Sequence, residues 1–126
     1  HWPLEAAGYI TRGLVPAGGS EEEHTGLDIA VTIGTPVRAV GGGTVLDVGA
    51  DPEYGQFILL GHPEGYQTKY GHLSRALVSP GALVSAGDVI GLSGNSGRST
   101  APHLHLEIRR GDVTIDPLTM VKEDSQ

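Results

Sequence analysis

Short apolar runs with polar partners recur along the chain at 8–12, 27–31, 36–40, 44–49, 56–61, 66–72, 89–93 and 104–109. Between them lie Gly41-Gly42-Gly43, Asp51-Pro52, Pro63-Glu64-Gly65, Ser79-Pro80-Gly81 and Gly94-Asn95-Ser96-Gly97. Runs of this length bounded by such residues predict strands joined by tight turns. No window holds a 3.6-residue apolar period for more than about two turns, so helix is expected only as single turns at 73–77 and 118–121. The stretch 79–91 repeats the grammar of 33–45, with apolar strands broken by small-residue turns. The predicted fold is all-β, a compact antiparallel β-sandwich of short strands with almost no helix.

The chain has 126 residues, the size of one ordinary domain. A single domain is expected over 1–121, with the polar 122–126 as a frayed tail. Its 20 glycines fit a turn-rich architecture. No apolar stretch approaches the ~18 residues of a membrane helix, and no basic-then-apolar leader opens the sequence, so no membrane insertion is expected for this segment.

Charge narrows the partners. A net charge of -7 with only eight Lys plus Arg argues against nucleic acid, whose affinity rests on cationic contacts. An acidic surface suits an amine-bearing substrate, and equally suits simple solubility. The absence of cysteine removes disulfides, thiolate nucleophiles and Cys-type zinc sites. Any metal must use His, Asp or Glu.

The sharpest local signal is His103-Leu104-His105-Leu106-Glu107-Ile108. On a strand, His103, His105 and Glu107 face one way and Leu104, Leu106 and Ile108 face the core. The two imidazoles then stand about 7 Å apart, so one can bind a metal while its neighbour handles a proton. Taken alone, the pair also reads as two exposed histidines on a polar strand face. The cluster His24-Thr25-Gly26-Leu27-Asp28 shifts the balance, because Gly26 and the following Ile29-Ala30-Val31 suggest a turn entering a strand. Catalytic zinc typically takes three protein ligands of His nitrogen and carboxylate oxygen type. His24, Asp28 and His105 make such a set. Glu21-Glu22-Glu23 reads as a solvated loop.

Two other all-β readings fit less well. A cupin needs Glu or Gln four or five residues after the second His, where this chain has Arg109 and Arg110. A biotinyl or lipoyl carrier needs a Lys at a hairpin tip, usually beside Met, whereas Lys69 lies inside a strand-like run and the one Met is Met120.

His24-x-x-x-Asp28, Tyr70-Gly71-His72-Leu73-Ser74 and the run from Gly97 to Glu107 resemble, in order and wording, the three signature blocks of M23 metallopeptidases, the lysostaphin/LytM-like family. The likeness extends over about 9–118 and includes the connecting text 34–39 and 84–91. It implies a LytM-type fold, Zn2+ held by His24, Asp28 and His105, and catalysis by His72 and His103. It further implies a bacterial, extracytoplasmic endopeptidase acting on peptidoglycan peptides. Non-catalytic wall-binding or hydrolase-activating modules share the fold, but they usually lack the zinc ligands that this chain retains. His62 and His1 read as structural. Arg98 reads either as a contact for a substrate carboxylate or as a solvated cation.

Two positions depart from the family pattern. Leu14-Val15-Pro16-Ala17 stands where lysostaphin-like members often carry a Tyr, and Gly55-Gln56 replaces the usual Gly-Asn. Both touch groups that position substrate, which bears on specificity and rate. Asp28 is expected to be held by a further donor that the sequence does not identify.

Overall fold

A computed structural model describes residues 2–4, 9–15, 24–97, 99 and 101–121. Ten strands are present: β1 (Tyr9–Arg12), β2 (Leu27–Ala30), β3 (Pro36–Arg38), β4 (Gly43–Asp51), β5 (Gly55–Gly61), β6 (Tyr66–Ala76), β7 (Leu83–Val84), β8 (Val89–Ser93), β9 (His103–Arg110) and β10 (Val113–Ile115). The helical content among the described residues is two 3-10 turns, Pro63–Gly65 and Pro117–Thr119. The expectation of an all-β chain with almost no helix is met.

Every pairing is antiparallel, in the order β1-β2-β9-β6-β5-β4-β7, with β10 on the outer half of β9. Strand β6 is the branch point. Tyr66 to Gly71 pair with β9, whereas Leu73 to Ala76 pair with β8, which carries β3 as a short second layer. Val37 and Ile90 from that layer are fully buried with Ile58, Leu60, Tyr70, Leu73, Leu104 and Leu106 from the main sheet. Strand alternation puts Ile58 with Leu60 and Leu104 with Leu106 on the core face, and burying each large aliphatic side chain is worth about 1.5–3 kcal/mol. The Tyr70 hydroxyl, fully enclosed, accepts from Thr68 Oγ1 at 2.9 Å and Val40 N–H at 3.1 Å. Burial outweighs these bonds and lifts its phenol to about 12.

The helical turn expected at 73–77 is absent, because this segment is the end of β6, with Arg75 opposite Leu92 and Ala76 opposite Gly91. A partner 15 residues away in sequence decided the matter, which local periodicity cannot reveal. Two strands not anticipated, β7 and β10, are only two and three residues long. They exist because β4 and β9 offer them an edge. The turn at 118–121 is the second 3-10 turn, capped by the Asp116 carboxylate accepting from Leu118 N–H. Residues 122–126, Glu21–Glu23, Arg98 and His1 lie outside the described residues.

Candidate metal centre

The register of β2 on β9 builds the site. Asp28 lies directly opposite His105, and facing residues on an antiparallel pair hold their Cβ atoms about 5 Å apart. Leu27 and Ile29 point into the core, so Asp28 points out. His24 precedes the strand and is fixed by two backbone bonds with Val15, both 2.9 Å. The turn between them needs Gly26, where a Cβ would sit 2.3 Å from the Leu106 carbonyl oxygen.

Among the described residues, one group offers ligand atoms that converge: His24, Asp28 and His105, all within 4.8 Å of one another. His24 Nε2 lies 3.0 Å from Asp28 Oδ2, and His105 Nδ1 lies 2.6 Å from Asp28 Oδ1. The remaining ring nitrogens are engaged behind the site. His24 Nδ1–H donates to the Gly13 carbonyl at 2.8 Å, and His105 Nε2–H donates to Glu107 Oε2 at 2.9 Å. A carbonyl or carboxylate can only accept, so these bonds fix the rings and aim the opposite nitrogens at Asp28. The Asp28 carboxylate faces His24, His103 and His105.

His72 and His103 flank this group. Their ring centroids are 4.5 Å apart, and His72 is 6.0 Å from His105. In regular alternation after Thr68 and Tyr70, His72 would enter the core. Instead it adopts φ 60°, a left-handed conformation rare outside glycine, and Leu73 takes the buried place. Its N–H donates to the Tyr54 carbonyl at 2.6 Å and its Nδ1–H to the Ser96 carbonyl at 2.7 Å. His103 Nδ1–H donates to the Ala101 carbonyl at 2.8 Å. Both rings thus turn Nε2 toward the centre, and His103 Nε2 stands 3.6 Å from Asp28 Oδ1. Gly71, opposite His105 on β6, leaves space there, since a Cβ would meet the Tyr54 ring at 3.2 Å.

Burial pushes the Asp28 carboxyl up, but the hydrogen bond from His105 and the charges of His105, His24 and His103 overcome it and hold the carboxyl below its usual range. Burial likewise disfavours charge on His105, yet Asp28 and Glu107 on its two nitrogens raise it to about 9. Glu107 is also desolvated, and its bonds from His105, Tyr54 and Thr25 bring it down to about 2. Burial, opposed by the Ser96 carbonyl, lowers His72, which is therefore neutral near pH 7.

All five site residues expected from the sequence meet here. Sequence reasoning missed the support behind them. Glu107 Oε2 accepts from Thr25 Oγ1 at 2.7 Å and from the Tyr54 hydroxyl at 2.5 Å, besides His105. The signals were its shared strand face with His105 and the place of Thr25 beside His24. Tyr54 gave none, because it arrives from the β4–β5 turn. Its hydroxyl is committed to Glu107, so it does not replace the Tyr that lysostaphin-like proteins carry before the first ligand; Val15 pairs with His24 there, and Pro16 and Ala17 lie outside the described residues. Gln56 braces the rim, donating Nε2–H to the Ser74 carbonyl at 2.9 Å. His62 is structural, bonded to the Gly42 carbonyl and Thr68 Oγ1, each at 2.8 Å. It borders an apolar cavity of about 510 Å³ with Val40, Tyr66 and Val121, whose lining is separate from the five site residues.

Comparison with known proteins agrees with this geometry. The model of peptidase family M23 matches residues 22–117. The peptidoglycan DD-endopeptidase ShyA of Vibrio cholerae is 43% identical over 103 residues, 82% of this chain and 24% of that protein. The chain therefore spans about a quarter of the length of that curated relative. A zinc-containing peptidase from Vibrio cholerae superposes with TM-score 0.83 at 36% identity, covering 97% of this chain and 39% of that one. The catalytic domain of lysostaphin from Staphylococcus simulans does so with TM-score 0.76 at 36% identity, covering 90% and 88%. On these matches and on the three blocks that build the site, the chain belongs to peptidase family M23.

Proposed function

We propose that residues 1–121 form one zinc metalloendopeptidase domain that hydrolyses peptide cross-links or bridges of bacterial peptidoglycan, outside the cytoplasm. The observation that carries this reading is the convergence of His24 Nε2, an Asp28 oxygen and His105 Nδ1, with two further imidazoles turning Nε2 to the same point. Two nitrogens and one carboxylate oxygen, each ring held from behind by an oxygen acceptor, suit zinc with a coordination position left open. When bound, the ion polarises a carbonyl and lowers the pKa of water toward ~7.

The protein side of the chemistry is proton handling. No Glu sits between the ligands as in His-Glu-x-x-His enzymes, so the proton passes through His72 and His103. Neutral His72 accepts a proton at Nε2, with the Ser96 carbonyl stabilising the imidazolium through Nδ1–H. His103 is braced in the same way by Ala101. Between them they take a proton from water, stabilise the developing oxyanion and return the proton to the leaving amine.

Relatives named as peptidoglycan DD-endopeptidases and as a DD-carboxypeptidase/endopeptidase support the substrate class. The test is mass analysis of fragments released from purified peptidoglycans of different cross-link chemistry, with and without a chelator. Chelator-sensitive release of cleaved cross-links is expected. No cleavage of any wall type by the zinc-loaded protein would replace this reading with a wall-binding module.

A further inference from the structure

Beyond the metal ligands, the outward face of β9 continues to Glu107 and Arg109, and that of β6 to Lys69 and Gln67. The register sets Lys69 opposite Glu107 and Gln67 opposite Arg109, two and four residues along from the Gly71–His105 pair. These side chains, with Tyr54 and Leu59, line a pocket of about 200 Å³. Lys69 is half-buried and its Nζ lies 3.8 Å from the centroid of the Tyr54 ring and 4.5 Å from that of Phe57. Among the described residues, neither Lys69 nor Arg109 forms an ion pair. The acid opposite Lys69 on β9, Glu107, spends Oε2 on Thr25, Tyr54 and His105 instead.

Lys69 thus brings to the pocket a positive charge that no anion among the described residues pairs. Two aromatic faces attract the ammonium. They also hold the ammonium in one place, at the pocket, in a chain whose net charge is -7. We propose that Lys69 and Arg109 form a carboxylate-binding subsite of the cleft, with Lys69 as the principal anchor and Gln67 as a further donor. At ~3.3 Å per residue, Lys69 stands about 7 Å along the sheet from His105. An extended peptide covers that distance in two residues. The subsite therefore selects substrates bearing a free carboxylate, on a side chain or at a chain end, within about two residues of the scissile bond. This rests on the peptidase reading above and adds the charge of the preferred substrate to it.

The test uses the zinc-loaded protein and pairs of cross-linked peptides that differ only in carboxylate against carboxamide at that position. The unaltered protein should favour the carboxylate by roughly tenfold or more in kcat/KM, mainly through KM. Lys69→Met, which keeps the apolar stem, should bring the ratio near one, chiefly by raising KM for the carboxylate substrate. Arg109→Gln, at an exposed position, should narrow the ratio partway. Binding of N-acetyl-D-alanyl-D-alanine and its carboxamide, followed by amide and Lys Nζ chemical shifts, reads the same preference without turnover. Equal handling of the two partners of each pair by the unaltered protein overturns the subsite and leaves the peptidase reading intact. Loss of both substrates in a folded Lys69→Met variant also overturns it, because Lys69 would then only support Tyr54. Absence of hydrolysis together with a carboxylate preference in binding that Lys69→Met abolishes would retain the subsite and remove the peptidase.

Discussion

Glu107 accepts the Nε2–H of His105 at 2.9 Å, and this one bond decides which nitrogen of His105 faces Asp28, 2.6 Å away from Nδ1. The two residues share a strand face two positions apart on β9, so the support for the ring comes from the same element as the ring. Thr25 and Tyr54 hold Glu107 in turn. Burial and the Glu107 carboxylate together push the Tyr54 phenol well above its usual range, which keeps it a donor at every working pH.

Glu107→Ala should therefore weaken zinc binding by about 10–100-fold, the usual effect of removing an outer partner of a ligating His. Glu107→Gln keeps an acceptor oxygen and should lose less. Competition with a chromophoric chelator measures both. Equal zinc affinity in the Ala variant and the unaltered protein would mean that packing alone orients His105.

Ligands and proton carriers should separate cleanly. His24→Ala, Asp28→Ala or His105→Ala should each lose zinc. His72→Ala and His103→Ala should retain it while activity falls by roughly 10²–10⁴-fold, the worth of a general acid or base. Zinc content by elemental analysis beside turnover on one peptide distinguishes the two classes. A His103→Ala protein without zinc, paired with a His105→Ala protein that keeps it, would reverse the assigned roles on β9.

The orientation of His72 depends on two glycines outside the signature blocks' histidines. Gly55 (φ 62°) and Gly97 (φ 76°) lie back to back, and a Cβ on Gly97 would stand 2.2 Å from Gly55 N. This contact seats Ser96, whose carbonyl receives the His72 Nδ1–H and whose Oγ links the Leu73 carbonyl and Gln56 N–H at 2.6 and 3.0 Å. Gly97→Ala should cost at least about 1 kcal/mol of stability, because the native backbone is incompatible with a side chain. Activity should fall further than melting temperature explains, with zinc retained. A variant with normal activity would show that His72 does not need Ser96.

These cases show what could be read from the chain and what could not. Alternation along 103–108 was enough to put His103, His105 and Glu107 on one face, because both faces of β9 obey period two. Residue types suggested His24, Asp28 and His105 as a ligand set, whereas the register that sets Asp28 opposite His105 comes from the pairing of β2 with β9. His72 was a different matter: its side chain reaches the site only through a positive φ at a bulge, and without the family resemblance a lone His there looks structural. Tyr54 and Ser96 come from turns whose approach depends on tertiary contacts between β4–β5 and 94–97. The strand ending at Ala76 and the short β7 and β10 owe their existence to distant edges, which no local pattern encodes.

The metal-free protein should have a pH profile of stability that zinc rewrites. His105 is raised to about 9, so its contribution is fully present below the unfolded value near 6.5 and is lost as pH rises through 9. Glu107, lowered to about 2, and Asp28, lowered as well, contribute above their unfolded values near 4.5 and 3.8 and fade as pH falls below them. His72, lowered by burial, opposes slightly, since its protonation below about 6.5 favours the unfolded chain. Without metal, stability should then peak between about pH 5 and 6.5 and decline toward pH 9, by something of order 3 kcal/mol from His105 alone. Zinc held at His105 Nδ1 would take the place of that proton and abolish the decline, while protons would displace the metal in acid. The rise in melting temperature on adding zinc should therefore be small near pH 5.5 and several degrees larger near pH 8.5. Hydrolysis should follow the same curve and fall steeply below about pH 6, where protons compete with the metal for its ligands. Melting curves with zinc and with chelator, from pH 5 to 9, measure the difference directly. A zinc-induced shift of equal size at pH 5.5 and 8.5 would show that no proton leaves His105 on binding, and that the ion sits elsewhere.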